Sequence, residues 1–308
     1  MKKTIMIVSL ILAGITAKAQ TSLDNALQLL QQKNYISALD VCNEMLAESP
    51  NNPSALGVRS QIYTAMGNFD LALEDAKKAL SIDSKSDRAH YANGEALFYG
   101  SKEYRQALLQ YDAAIKANNR MTEAYSGKAR ALRGLQNFKE AMKVTEDALS
   151  MFPNEPELYY IRGLLNFQRG LFKSAVDDYD KVLSLNADWN TFEIYLNRGF
   201  ANDALKNPNM ALQDFTKAIT VDPNNAGGYV ARANTLYNMT KYQEAAEDYK
   251  KAEVLSPDNS VITYNIGMAY YKDEDRVLAC RYFQKACSQG NSNACRMVVV
   301  NCTDKRSN

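Results

Sequence analysis

Histidine is almost absent from this sequence of 308 residues, and His90 is its only example. A catalytic or metal site built on histidine would need partners that the chain does not supply. The patterns GxxxxGK[ST], GxGxxG and HExxH, which hold phosphates or zinc, are also missing. His90 falls in the apolar stripe of an amphipathic segment, which favours a packed structural histidine. The sequence therefore predicts a protein that is not an enzyme and that uses no cofactor or metal.

Long apolar runs are scarce too. The one candidate, Ile5–Ile15, has about half of the roughly 20 residues that a membrane-spanning helix needs. Lys2 and Lys3 precede it and Ala17–Ala19 follows it, which is the three-zone pattern of a secretory signal peptide. We expect residues 1–19 to be a signal peptide that is cleaved after Ala19. The mature chain is then expected to be periplasmic or secreted, without a transmembrane anchor.

An excess of one charge is missing as well. The chain has 36 basic and 35 acidic residues. Removal of residues 1–19 takes away three lysines and no acid, which leaves 33 against 35 and a formal charge of minus two. Because nucleic-acid binding needs a basic surface, this balance argues against nucleic acid as the main ligand.

What the sequence does contain is a repeat. Eight segments align on an alanine, with successive steps of 34, 35, 34, 34, 36, 34 and 34 residues. Each unit has apolar residues at three- and four-residue spacing in two short stretches, which predicts two amphipathic helices. A small residue at the aligned position lets two helices approach closely. The aligned alanines are Ala38, Ala72, Ala107, Ala141, Ala175, Ala211, Ala245 and Ala279.

This pattern resembles the tetratricopeptide repeat family over about residues 20–290. The resemblance rests on the 34-residue period, the small residue and the aromatic of the second helix, and a proline at the inter-repeat turn. It implies an all-α fold, a right-handed superhelical solenoid of antiparallel helix pairs. We expect eight repeats over 20–290 and a capping helix with a short tail over 291–308. In the sixth repeat, Pro208 replaces the aromatic, and we expect a distorted helix start there.

Four arginines each stand sixteen residues before an aspartate, and each pair is centred on the turn between two helices. Residues equidistant from such a turn face one another across antiparallel helices. We therefore expect ion pairs within the repeat, although ligand binding by these charges is an alternative. The pairs are Arg59 with Asp75, Arg162 with Asp178, Arg198 with Asp214, and Arg232 with Asp248.

The remaining candidate site is the concave groove that stacked helix pairs form, lined mostly by the first helix of each unit. Aromatic side chains and arginine are the usual anchors for partners, so this groove is predicted to bind a protein or peptide. Arg130 and Arg133 have no opposed aspartate in their own repeat, which favours them as anchors. Packing between neighbouring repeats is the alternative for the aromatic positions. The candidates are Tyr91, Glu95, Phe98, Arg130, Arg133, Tyr160, Leu164, Phe167 and Phe200.

Cysteine is limited to five residues, and four of them lie at symmetric spacing near the C-terminus. Cys280 with Cys302 and Cys287 with Cys295 share the midpoint 291, so a helical hairpin there brings each pair together. A four-cysteine zinc site is the rival. Seven helical residues advance the chain by about 10 Å, which is too far for both cysteines of one helix to reach one ion.

Two disulfides are therefore expected. The spacing of Cys287 and Cys295 also resembles the cysteine-rich Sel1-like repeats, a likeness that covers only the last unit. Cys42 is left over at an apolar position, where a buried thiol is expected.

Two functions are consistent with these patterns. The first is an exported, non-enzymatic scaffold that binds a protein or peptide in its groove. The second is an accessory structural subunit of an envelope assembly, which acts through its outer surface or its ends.

Overall fold

The computed structural model describes residues 20–185 and 191–302, and the regular structure in these ranges is entirely helical. The predicted signal peptide, residues 1–19, lies outside the described residues. Seventeen α-helices are present in the described chain, and they form two compact units. The division falls between Ile161 and Arg162, within the ninth helix. The predicted all-α class is confirmed.

The first unit contains helices α1 to α8 and the start of α9. The helix bounds are 20–31 for α1, Tyr35–Glu48 for α2, Pro53–Ala65 for α3, Phe69–Ile82 for α4, Asp87–Ala96 for α5, Tyr104–Ala117 for α6, Thr122–Gly134 for α7, Phe138–Met151 for α8 and Pro156–Gln168 for α9. A π-helical turn, Leu97–Ser101, continues α5.

The second unit contains the rest of α9 and helices α10 to α17. The bounds are Phe172–Ser184 for α10, Thr191–Ala204 for α11, Pro208–Val221 for α12, Ala226–Asn238 for α13, Tyr242–Leu255 for α14, Ser260–Lys272 for α15, Arg276–Ser288 for α16 and Ser292–Met297 for α17. A second π-helical turn, Val298–Cys302, continues α17.

Short turns make the paired helices antiparallel within each unit. Only three residues, 66–68, separate α3 from α4, and Gly67 turns the chain with a φ of 80°. Four residues, 49–52, separate α2 from α3, and the Asn52 side chain accepts hydrogen bonds from the first amides of α3. The same alternation of short turns recurs along both units, and the predicted helix-pair architecture is confirmed.

The aligned alanines lie in the core between the packed helices. All eight are fully buried, which explains why no larger residue occupies this position. A glycine on the first helix serves the same purpose opposite an aromatic ring of the second helix. At Gly199, for example, an added Cβ would lie 2.5 Å from Cε1 of Phe215.

The helix start at Pro208 is regular, so the distortion expected there is wrong. Pro208 is the first residue of α12, with Asn207 as the N-cap. The first amide of a helix has no intrahelical acceptor, and the fixed φ of proline suits this position.

The C-terminal hairpin of α16 and α17 carries two disulfides. Cys280 is bonded to Cys302 and Cys287 to Cys295, with Cα–Cα distances of 5.5 and 4.7 Å. These are the pairs that the shared midpoint predicts. Cys42 is a buried free cysteine, and burial raises the pKa of its thiol to about 12.

Candidate binding site

The four regular arginine–aspartate pairs hold the repeats together. In each repeat the arginine donates to the aspartate sixteen residues later, and the aspartate side chains are between 4 and 8% exposed. Hydrogen bonding to Asp75 raises the pKa of Arg59 above its ordinary value. The predicted ion pairs within the repeats are confirmed. The shortest N–O distance is 2.6 Å for Arg59–Asp75, Arg162–Asp178 and Arg232–Asp248, and Arg198–Asp214 has the same arrangement.

In the third repeat, the amides Asn93 and Gln110 occupy the positions of this pair. His90 Nδ1 lies 2.8 Å from Gln110 Oε1, and its Nε2 lies 3.1 Å from the carbonyl oxygen of Ser84. One ring nitrogen therefore contacts α6, and the other contacts the turn that precedes α5. His90 has the structural role that the sequence favours.

A cavity of about 420 Å³ opens on the first helices of the first unit. Its wall is mainly apolar and aromatic, with a few polar groups from α3 and α5. Such a composition and volume are typical of ligand pockets. The lining residues are Leu30, Gln61, Thr64, Ala65, Phe69, Tyr91, Glu95 and Tyr99.

Arg130, on α7, holds the polar end of this cavity in place. Its Nη2 donates to Glu95 Oε1 at 2.8 Å, and its Nη1 donates to the hydroxyl of Tyr99. The Tyr111 hydroxyl donates to the same Glu95 oxygen at 2.6 Å. Arg130 Nε also lies 3.5 Å from Glu157 Oε1, on α9. Arg130 has no partner in its own repeat, as the sequence indicates, but carboxylates of the preceding and the following repeat pair with it.

Burial and charge act together on this cluster. Burial by itself would lower the pKa of Arg130, but Glu95 and Glu157 hold that pKa well above its ordinary value. Burial raises the pKa of Tyr91 and of Tyr99, and nearby Glu95 raises both further. Both phenols therefore stay protonated at neutral pH. Two carboxylates surround one guanidinium, so the cluster has one more acidic group than basic groups.

The structure brings some of the predicted groove residues together. Tyr91 and Glu95 line the cavity, and Arg130 bonds to Glu95. The Phe98 ring packs against the Arg130 guanidinium, whose Cζ lies 5.4 Å from the ring centroid. Arg133, in the last turn of α7, has no ion-pair partner in the described part of the chain.

The other groove candidates do not join this cavity. Tyr160 lies on α9 and does not line it. Leu164, Phe167 and Phe200 belong to the second unit. There the ring of Phe167 packs on Phe172 and the ring of Phe200 on Phe215, with centroids 5.3 and 5.2 Å apart. Partner contact at these positions stays a prediction.

Sequence reasoning missed Tyr99, which contributes to the cavity where Phe98 was expected. The π-helical turn Leu97–Ser101 has a wider repeat than an α-helix, so it changes which side chain follows Tyr91 and Glu95 around the helix. The sequence signal for this change is the step of 35 residues between Ala72 and Ala107, because one residue more than the usual 34 must be accommodated between them.

The helix pairs and their repeated packing agree with known sequence families. Sequence models described as "Tetratricopeptide repeat" match residues 192–225, 29–93, 91–144, 127–188 and 226–259, most of the chain. The chain belongs to the tetratricopeptide repeat family.

Several proteins are similar to this tetratricopeptide-repeat chain. A "DnaJ homolog subfamily C member 7 homolog" from Dictyostelium discoideum is 25% identical over 235 residues, 76% of this chain and 39% of the relative. The "Hsp70-Hsp90 organizing protein" of Triticum aestivum is 24% identical over 236 residues, 74% of this chain and 39% of the relative. This chain thus spans well under half the length of these relatives.

The crystal structure of the APC/C hetero-tetramer Cut9-Hcn1 contains a chain with the same fold. Its TM-score is 0.72 at 16% identity, over 79% of this chain and 48% of that chain. Within residues 20–185 and 191–302 of the present protein, no helix has the length and apolar character required to span a bilayer.

Proposed function

We propose that this protein is an exported, non-enzymatic scaffold that binds a protein or peptide partner on the first helices of its repeats. The cavity in the first unit is the principal contact site. The observation that carries the proposal is the cavity itself, about 420 Å³ with aromatic walls and a few fixed polar groups.

The polar cluster at the cavity suits binding better than catalysis. Arg130 donates to both Glu95 and Tyr99, and Tyr99 remains a neutral phenol. No member of this cluster is arranged as a nucleophile next to a free base. The cluster instead fixes the rotamers of groups that a partner would contact, which lowers the entropic cost of binding.

The family supports partner binding in general terms. Tetratricopeptide repeats form surfaces of packed helix pairs that serve as protein-interaction scaffolds. The similar Triticum protein is named for organizing Hsp70 and Hsp90, and the similar Cut9 chain is part of a hetero-tetramer. Export is supported by the signal-like pattern in residues 1–19 and by two disulfides, which persist in oxidising compartments.

The envelope-subunit alternative has one observation in its favour. Val254 on α14 and Val277 on α16, both second helices of their pairs, are 80 and 81% exposed. Exposed valines on second helices could contact another subunit without using the cavity.

Affinity capture with a plugged cavity distinguishes these functions. Ala65 is the exposed last residue of α3 and lines the cavity, so Ala65→Trp should fill it without disturbing the core. Ala117 is the exposed last residue of α6 and does not line the cavity, so Ala117→Trp is the matched control.

We expect wild type and Ala117→Trp to capture the same partners from the envelope of the source cells, and Ala65→Trp to lose them. Equal thermal unfolding of the three proteins would show that folding is unaffected. Full capture by Ala65→Trp would contradict binding in the cavity and would support the outer-surface alternative.

A further inference from the structure

Two polar groups at the cavity have hydrogen-bonding capacity that the described chain does not use. Both hydrogen bonds to Glu95 end on Oε1, and Oε2 accepts none from any described residue. Gln61 Nε2 is buried and likewise has no hydrogen-bond partner within the described chain. An unpaired buried donor is costly, so a partner that supplies an acceptor would recover this energy.

The charges and rings of the cavity favour a cation. Glu95 is the charged residue of the lining, and Glu157, 3.5 Å from Arg130 Nε, is a second carboxylate of the same cluster. Tyr91, Tyr99 and Phe69 present aromatic rings at the same cavity, and aromatic faces attract ammonium and guanidinium groups.

An anionic group is poorly accommodated at the same place. It would lie against the Glu95 carboxylate. The Arg130 guanidinium beside Glu95 already donates to Glu95 and Tyr99, and its Nε, which has no hydrogen-bond partner in the described chain, is buried 3.5 Å from Glu157 Oε1. An anion would therefore have to displace an existing ion pair before it gained a charge partner.

We propose that the cavity binds a lysine or arginine side chain of a peptide partner. The cation would bond to Glu95 Oε2 between the aromatic rings, and the Gln61 amide would donate to a carbonyl oxygen of the same peptide. This inference rests on the proposed function, since it specifies the chemistry of the partner at the proposed site.

This specificity can be tested by selecting peptides that bind the protein and then measuring their affinity for variants with an added charge at the cavity rim. The probe is a phage-displayed library of random dodecapeptides, selected on the full chain. Enriched peptides are then synthesised, and their Kd is measured for wild type, Ala65→Glu and Ala65→Lys. Ala117→Glu and Ala117→Lys are the matched controls, because they add the same charges at an exposed helix end away from the cavity.

We expect the selected peptides to share one lysine or arginine, and its replacement by norleucine to weaken binding by about tenfold or more. Ala65→Glu should tighten binding by about twofold to fivefold and Ala65→Lys should weaken it by a similar factor, as for an exposed charge pair. The Ala117 variants should match wild type. Glu95→Gln should also weaken binding. If Glu95→Gln unfolds the protein because Arg130 loses its partner, the Ala65 variants still test the proposal.

The contrary results separate the two proposals. Peptides that bind without a shared cation, or that respond equally to Ala65→Glu and Ala65→Lys, would overturn the cation specificity and leave peptide binding intact. A selection that enriches no peptide for the folded wild-type chain would overturn peptide binding, and the cation specificity with it.

Discussion

At the residue scale, the aspartate of two of the four regular ion pairs accepts from a second side chain in addition to its arginine. Asp178 accepts from Arg162 and also from Asn166 Nδ2 at 2.9 Å, and Asp214 accepts from Asn202 Nδ2 at 3.0 Å in the same way. A carboxylate this deeply buried is stable only with its partners, because desolvation of the charge must be offset.

Replacing Arg162 with alanine should therefore destabilise the protein by about 3 kcal/mol, since it leaves the Asp178 carboxylate buried with only an amide donor. Urea unfolding followed by circular dichroism measures this change. Arg169→Ala, at an exposed position directly after α9, is the control and should unfold like wild type. Equal stability of both variants would mean that Arg162 does not hold the repeat together.

These ion pairs could be predicted from sequence because they recur at a fixed spacing about a turn. The Arg130–Glu95 pair could not, since its members belong to different repeats, 35 residues apart, and no other repeat shows an equivalent pair in the described part of the chain. A contact that occurs once leaves no periodic signal. The sequence indicates that Arg130 lacks an aspartate in its own repeat, and the structure shows that its partners lie in the neighbouring repeats.

At the scale of the helix pair, the approach of two helices is set by a glycine opposite an aromatic ring. Gly199 on α11 faces Phe215 on α12, and Phe215 is fully buried. A methyl group at position 199 has no space unless the ring moves. This arrangement explains why both residues are found at these points of the sixth repeat.

Gly199→Ala should destabilise the protein by about 1–3 kcal/mol through overpacking, despite the better helix propensity of alanine. The double variant Gly199→Ala with Phe215→Leu should be less unstable than the sum of its two single variants, because the smaller side chain makes room for the added methyl group. Chemical unfolding of all four proteins tests this coupling. Additive effects would show that the two side chains do not compete for the same space.

Helix positions could be predicted from the sequence wherever the 34-residue period of the repeats is kept. Alternating amphipathic stretches and turn residues located both helices of each pair. Where the step lengthens to 35 residues, the sequence did not reveal how the extra residue would be accommodated. A longer loop and a π-helical turn both satisfy the count, and only the second brings Tyr99 to the cavity.

At the scale of the whole molecule, the C-terminal end depends on covalent links. The helix pair α16 and α17 has no further repeat after it among the described residues, and Cys280–Cys302 and Cys287–Cys295 join its two helices. Each disulfide, taken alone, should stabilise this hairpin by about 3 kcal/mol through loop closure.

Reduction should loosen this end first, because repeat units contact mainly their neighbours. Hydrogen exchange with and without a phosphine reductant should show faster exchange across residues 275–302, while the helices of the first unit keep their protection. Cys42 is buried with a raised thiol pKa, so a Cys42→Ala variant should respond to reduction like wild type. A uniform rise in exchange along the chain would contradict a local role for the disulfides.

The Arg130 network also affects how far unfolding propagates along the first unit. In a linear repeat array each repeat is coupled to its immediate neighbours. The free energy of unfolding is then approximately a sum of the stability of each repeat and of its contacts with neighbouring repeats. Arg130 lies in the fourth repeat, Glu95 in the third and Glu157 at the start of the fifth, so one side chain links three successive repeats. Opening the fourth repeat removes the charge partner of both Glu95 and Glu157, and opening the third or the fifth repeat removes one partner of Arg130. We therefore expect this stretch of the chain to unfold as a single cooperative block, larger than one repeat.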